Sequence, residues 1–117
     1  MGSLDTLHAP RDFEALQRRG HSRAHPLLVV RYVRNGLDRT RFGFSTSRKL
    51  GGAVVRNRVR RRLRAIVQRL RPIIGSGWDV LVVARAGCVE ARSAELTAVL
   101  ERLLRQAGLI EAGAIQA

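Results

Sequence analysis

Arg56, Asn57, Arg58, Arg60, Arg61 and Arg64 fall within nine residues, shortly after Arg48-Lys49 and the glycine pair Gly51-Gly52. Guanidinium groups at this density suit phosphate binding, through charge and through bidentate hydrogen bonds from a planar fork. Read as an α-helix beginning near Gly52, the stretch puts Val55, Val59, Leu63, Ile66, Val67 and Leu70 on one stripe at i, i+3/i+4 spacing. Arg58, Arg60, Arg61, Arg62, Arg64, Arg69 and Arg71 fall on the remaining arc with no acid among them, so intrahelical ion pairs cannot neutralise it. A solvated basic surface helix is the plain alternative. Seven arginines on one arc repel each other, however, and a polyanionic partner offsets that cost.

The other chemically capable side chains are dispersed. His8, His21 and His25 cluster in sequence without a carboxylate or cysteine at ligand spacing, and read as surface histidines. Asp5, Asp12, Asp38 and Asp79 stand singly in unrelated segments, whereas a metal-dependent nuclease needs clustered carboxylates to hold magnesium. Cys88 is the single cysteine, which excludes an intramolecular disulfide and a CxxC zinc site and fits a reducing, cytoplasmic setting. No acid or histidine stands beside it as an activator, so it reads as a packed thiol. Walker loops and GxSxG elbows are absent. By residue chemistry this is an RNA-binding protein rather than a self-sufficient catalyst.

Composition agrees. The 117 residues suit one domain, and the formal charge of +13 with a pI near 11.9 calls for nucleic acid or an anionic membrane as partner. Arg39 to Gly77 carries twelve basic residues and no acid. Membrane binding is the weaker reading, because the apolar stripe lacks the large aromatic residues of interfacial helices, no run is long enough to span a bilayer, and the N-terminus lacks a signal-peptide core.

The elements that must position the arginines follow from periodicity. Residues 1–9 read as a loose leader, and Pro10, Phe13, Leu16 and Gln17 predict a helix over 10–19 stopped by Gly20. Leu27 to Val33 predicts a strand, Asn35-Gly36 a type I′ turn, and Arg39 to Ser47 the returning strand of a hairpin. In that strand Thr40, Phe42, Phe44 and Thr46 point one way, expected to pack on the arginine helix. Arg41, Gly43, Ser45 and Ser47 point the other, leaving a small, open face on which an extended RNA strand fits. Pro72 and Gly75-Ser76-Gly77 break the chain before Trp78 to Arg85, an apolar strand of the kind found in a sheet interior. Ser93 is the expected N-cap of a last helix that buries Leu96, Val99, Leu100, Leu103, Leu104 and Ala107 and stops at Gly108, and 109–117 reads as a flexible tail. The order is helix, two strands, long helix, strand, helix: an α/β sandwich on one small mixed sheet within a single RNA-binding domain at 10–108.

Phe42-Gly43-Phe44-Ser45-Thr46-Ser47-Arg48-Lys49-Leu50-Gly51, followed by Ala53-Val54-Val55-Arg56-Asn57-Arg58-Val59-Arg60-Arg61, resembles the signature of the bacterial ribonuclease P protein subunit. Asp12-Phe13, the two strands before the helix, and Asp79 to Arg85 fall in the order of that family over about residues 7–108. The resemblance implies a fold like the second domain of a ribosomal small-subunit protein, with a left-handed strand–helix–strand crossover. It implies an accessory subunit of a ribonucleoprotein that removes the 5′ leader of precursor tRNA, the chemistry being done by a catalytic RNA with its own magnesium and no obligate protein partner being needed. Carried over by position, Arg48, Lys49, Arg56, Asn57, Arg58, Arg60, Arg61 and Arg64 meet the catalytic RNA, and Phe13, Arg31, Ser45 and Ser47 line the leader cleft. Gly52 stands where the family commonly has asparagine, and Gln17 and Arg31 where relatives often carry aromatic residues. Charge therefore does more of the leader binding here, and stacking less. The alternative is a general structured-RNA-binding or ribosomal protein with no processing role.

Overall fold

The computed structural model describes residues 10–111, with side chains from Glu14 onward. The expectations for residues 1–9 and for the side chain of Phe13 lie outside the described residues. Helix α1 (Pro10–Arg19) is followed by β1 (His21–Ala24), β2 (Leu28–Arg34), β3 (Arg41–Thr46), α2 (Ala53–Leu70), β4 (Trp78–Ala84) and α3 (Ser93–Gln106), with single 3₁₀ turns at Arg48–Leu50, Arg71–Ile73 and Ala86–Val89. Gly20 ends α1 by donating its N–H to the Leu16 carbonyl at 3.0 Å. A Cβ on Gly20 would stand 2.2 Å from that same oxygen, so the stop requires glycine.

The four strands form one mixed sheet in the order β1-β2-β4-β3, antiparallel except for the parallel β3–β4 pair joined through α2. The expected β2–β3 hairpin is therefore not formed, because β4 lies between its two arms. The cause is apolarity. Val80, Val82 and Ala84 of β4 are buried on one face, while Leu81 and Val83 are half-buried on the other, so the strand that is apolar on both sides takes the interior. Strand β3, with glycine and serine on one side, takes an edge. The Asn35-Gly36 turn is accordingly not type I′, since only Gly36 has a positive φ (71°). Asn35 instead closes an Asx turn, its Oδ1 accepting from Leu37 N–H at 2.8 Å. Its Nδ2 donates to Asp79 Oδ1 at 2.9 Å and to the Arg39 carbonyl at 3.1 Å, which ties the connection across the start of β4.

Three layers result. Helices α2 and α3 cover one sheet face, where Val59, Leu63, Ile66, Val67 and Leu70 meet Leu28, Val30, Phe42, Val80 and Val82 together with Leu96, Leu100, Leu103 and Leu104 of α3. The two apolar stripes read from periodicity are thus the core, except for Val55, half-buried beside Gly51 and outside the core, and Ala107, which only flanks it. Helix α1 lies on the opposite face, over β2 and β4, with Leu16 fully buried. Ser93 is not the N-cap of α3 but its first residue, the cap position being Arg92. Gly108 (φ 88°) ends α3 in a Schellman turn, with Gly108 N–H on the Arg105 carbonyl and Leu109 N–H on that of Leu104. That turn carries Leu109 and Ile110 into the core, at 2% and 1% exposure, so these two residues are packed rather than part of a flexible tail.

Candidate nucleic-acid interface

The arginine face is set by the corner between β3 and α2. Leu50 is buried and anchors the 3₁₀ turn, which leaves Ser47, Arg48 and Lys49 exposed at its outer side. Gly51 follows at φ 140°, and a Cβ there would also lie 3.1–3.2 Å from the Val55 side chain, so only glycine makes the bend. Gly52 occupies the N-cap of α2 without a side-chain hydrogen bond, and no acid stands in the first turn. Positive potential from the arginines and from the helix N-terminus is therefore unopposed at this end.

Along α2 the arginines divide into three kinds. Arg58 and Arg61 are exposed and make no hydrogen bond or ion pair among the described residues. Arg60 and Arg64 are half-buried against β3. The Nη2 of Arg60 donates to Thr46 Oγ1 at 2.7 Å and its Nη1 to Asn57 Oδ1 at 2.8 Å, while the Arg64 guanidinium lies 5.7 Å from the centre of the Phe44 ring. Arg62 turns away from the arc altogether, donating to the carbonyls of Cys88 and Ala91 and to Ser93 Oγ. It is a structural strut beneath the start of α3, not part of the exposed basic arc. Asn57, Arg60, Arg61 and Arg64, with Val54, line an open groove of about 500 Å³. Val54 is 72% exposed, an apolar residue off the core stripe that sequence reasoning passed over.

The opposite sheet face carries the cleft residues. Arg31 pairs across β2–β4 with Leu81, which pairs with Gly43, and one row further Val29, Val83 and Ser45 stand together, so Arg31 and Ser45 share this face. Helix α1 bounds it, with Arg31 Nη2 at 3.5 Å from the Leu16 carbonyl. Ser47 lies just past the strand end at the corner with Arg48. Arg41 and Asp79 close the far end of the face as a bidentate pair, Nε to Oδ1 at 2.8 Å and Nη2 to Oδ2 at 2.7 Å. Two buried side-chain polar atoms lack a hydrogen-bond partner among the described residues, Arg31 Nε and Arg56 Nε, one on each of the two faces. Leaving such a donor unmet costs about 1–3 kcal/mol.

Residues 1–108 match the model of the Ribonuclease P family. The chain belongs to the ribonuclease P protein family. The ribonuclease P protein component of Roseiflexus castenholzii is 37% identical over 106 residues, covering 90% of this chain and 87% of that protein. That of Syntrophomonas wolfei is 34% identical over 103 residues, covering 88% and 87%. The Staphylococcus aureus RNase P protein structure superposes with a TM-score of 0.82 at 30% identity, covering 91% of this chain and 97% of that one. For the Thermotoga maritima RNase P protein the values are 0.81, 29%, 92% and 99%. Membership makes the chain the protein subunit of an endoribonuclease that acts in tRNA 5′ processing.

Ribonuclease P membership sets the two basic faces in context without assigning a role to any one residue. Among the described residues, no three histidine, cysteine, aspartate or glutamate side chains converge as a metal-binding group, and no helix is long and apolar enough to cross a membrane. Cys88 is fully buried, and burial raises its thiol above the ordinary value while the Arg62 guanidinium acts the other way. Phe44 and Thr46, which hold Arg64 and Arg60, were legible as the helix-facing side of β3. Which arginines they would meet was not, because that depends on how far α2 is rotated about its axis.

Proposed function

We propose that the α2 face binds the catalytic RNA of ribonuclease P and that the α1-bounded sheet face receives the 5′ leader of precursor tRNA. The observation that carries this reading is a helix whose outward arginines meet no acid, next to a sheet face lined by Arg31, Gly43 and Ser45. Arg48, Lys49, Arg56, Asn57, Arg58, Arg60, Arg61 and Arg64 neutralise phosphates brought together by RNA folding, the bidentate arginines fixing register as well as charge. The small side chain of half-buried Ser45 lets a flattened strand lie close to the sheet, with Arg31 and Ser47 along its backbone. Magnesium belongs in this scheme to the RNA, which carries the hydrolytic step; the protein binds and positions. A single buried thiol suits the cytoplasm as the place of action.

Multiple-turnover cleavage of a precursor tRNA by a bacterial ribonuclease P RNA at low magnesium tests this. Adding the native chain should restore turnover, and the Arg58→Ala/Arg61→Ala variant should lose that effect with thermal stability at or above the native value. Tight RNA binding by the native chain without any change in cleavage would favour a general RNA-binding role instead.

A further inference from the structure

A second concentration of aromatic and cationic side chains lies at the other end of the molecule. Trp78 begins β4 opposite Arg34, the last residue of β2. The Arg34 guanidinium carbon sits 4.1 Å above the indole centre. Tyr32 meets Trp78 edge-on, with ring centres 5.8 Å apart and planes at 69°, and His21 of β1 lies 5.7 Å from the Tyr32 ring. With Val33 and Ala107 these residues line an open cavity of about 510 Å³. His21 and Arg34 are exposed and Trp78 is half-buried. Arg34 and Trp78 share the alternation of Val30, Tyr32 and Val80, so they stand on the α2–α3 side of the sheet, away from Arg31 and Ser45. They also sit at the end where α2 finishes, about 27 Å along an 18-residue helix from the β3–α2 corner.

We infer that this cavity is a second RNA contact, taking one unpaired base stacked on the Arg34–Trp78 pair. The occupant follows from charge and shape. No acid lines the cavity, and Arg34 has neither a carboxylate nor a hydrogen-bond partner among the described residues, so its charge is free for a phosphate. Glu111 lines a neighbouring cavity that shares Arg34 and Trp78, and its carboxylate disfavours an anionic strand there relative to the His21-lined cavity. A guanidinium lying flat on an indole presents a planar cationic surface for a base, and the volume suits a single nucleotide rather than a helix or a folded protein. The inference needs only that the chain binds RNA, and it stands apart from the leader assignment on the opposite sheet face.

Trp78 is the sole tryptophan, so its emission reports on the site in the full chain directly. Titration with a single-stranded oligoadenylate decamer should quench that emission saturably. Arg34→Ala should weaken the binding read by this quench by about fivefold or more. Arg34→Lys, which keeps the charge but not the plane, should weaken it as well. Arg92→Ala, which removes an exposed charge at the opposite end of α3 from Ala107, should retain the quench amplitude. With the native chain, photocrosslinking to a 4-thiouridine strand should place adducts on His21, Tyr32 or Trp78. The inference is overturned by unchanged emission at strand concentrations that saturate binding, by full retention in Arg34→Lys, by an equal loss in Arg92→Ala, or by adducts confined to α2 and β3.

Discussion

Replacing Arg58 and Arg61 by alanine removes two guanidinium groups that no described protein atom holds, and replacing Arg62 removes one that the fold has already committed. These changes should therefore separate RNA affinity from stability. Counting Arg48, Lys49, Arg56, Arg58, Arg60, Arg61 and Arg64 as phosphate contacts, seven released counterions give a slope of about −6 in log affinity against log salt, from about 0.9 per phosphate. A fourfold rise in salt should then weaken binding about four-thousandfold. With two contacts gone the slope becomes about −4.5 and the same rise costs about five-hundredfold. Arg62→Ala should leave the slope at the native value. It deprives the carbonyls of Cys88 and Ala91 and the Ser93 hydroxyl of a charged donor and should cost about 1.5–3 kcal/mol in urea unfolding. Filter binding of a ribonuclease P RNA from 50 to 200 mM salt, about the range over which such slopes are read, checks both halves. A slope that falls equally for Arg62→Ala would refute the division of the helix face into free and committed arginines.

Two further predictions concern the scaffold. Asp79 is 4% exposed and accepts from Arg41 and Asn35, so Asp79→Ala removes a bidentate ion pair and an amide hydrogen bond together and should cost about 3 kcal/mol, lowering the melting temperature by more than about 10 °C; a loss under about 1 kcal/mol would show that the pair does not hold the β2–β3 connection. Burial raises the Cys88 thiol above 9.0, so the neutral thiol contributes stability that is fully present below the unfolded-state value and lost as pH rises through the folded one; the stability gap between the native chain and Cys88→Ala should shrink above about pH 9, and a constant gap measured by urea titration would contradict this.

What was legible in the sequence was what is local. The limits of α1, the apolar stripes of α2 and α3 and the Gly108 stop are all set by residues within one or two turns of each other, and the structure has them. The sheet order was not legible, because Asn35-Gly36 is a strong short-range hairpin signal whose side chain is in fact spent on Asp79, 44 residues further on. Strand β1 escaped notice since its four residues are all exposed and carry no alternation to read. Arg61 and Arg62 are neighbours on one helix with the same chemistry. Only the path of the chain between β4 and α3, which brings Cys88, Ala91 and Ser93 under Arg62, makes one free and the other structural.

The same helix thus serves two opposed demands. Its inner stripe packs on β3 and α3, and that burial must outweigh the repulsion of the arginines it carries outward. Intramolecular partners relieve the part of that repulsion nearest the core. Thr46 and Asn57 hold Arg60, the Phe44 ring faces Arg64, and backbone carbonyls take Arg62. What remains unrelieved is concentrated at Arg58, Arg61 and the Arg48-Lys49 corner, where α2 begins and its N–H groups point outward. Relief there has to come from outside the protein, and an RNA fold that crowds phosphates together has the matching excess of the opposite sign. Without that partner Arg58, Arg61 and the Arg48-Lys49 pair work against the protein's own stability, and the same groups supply affinity once it is bound.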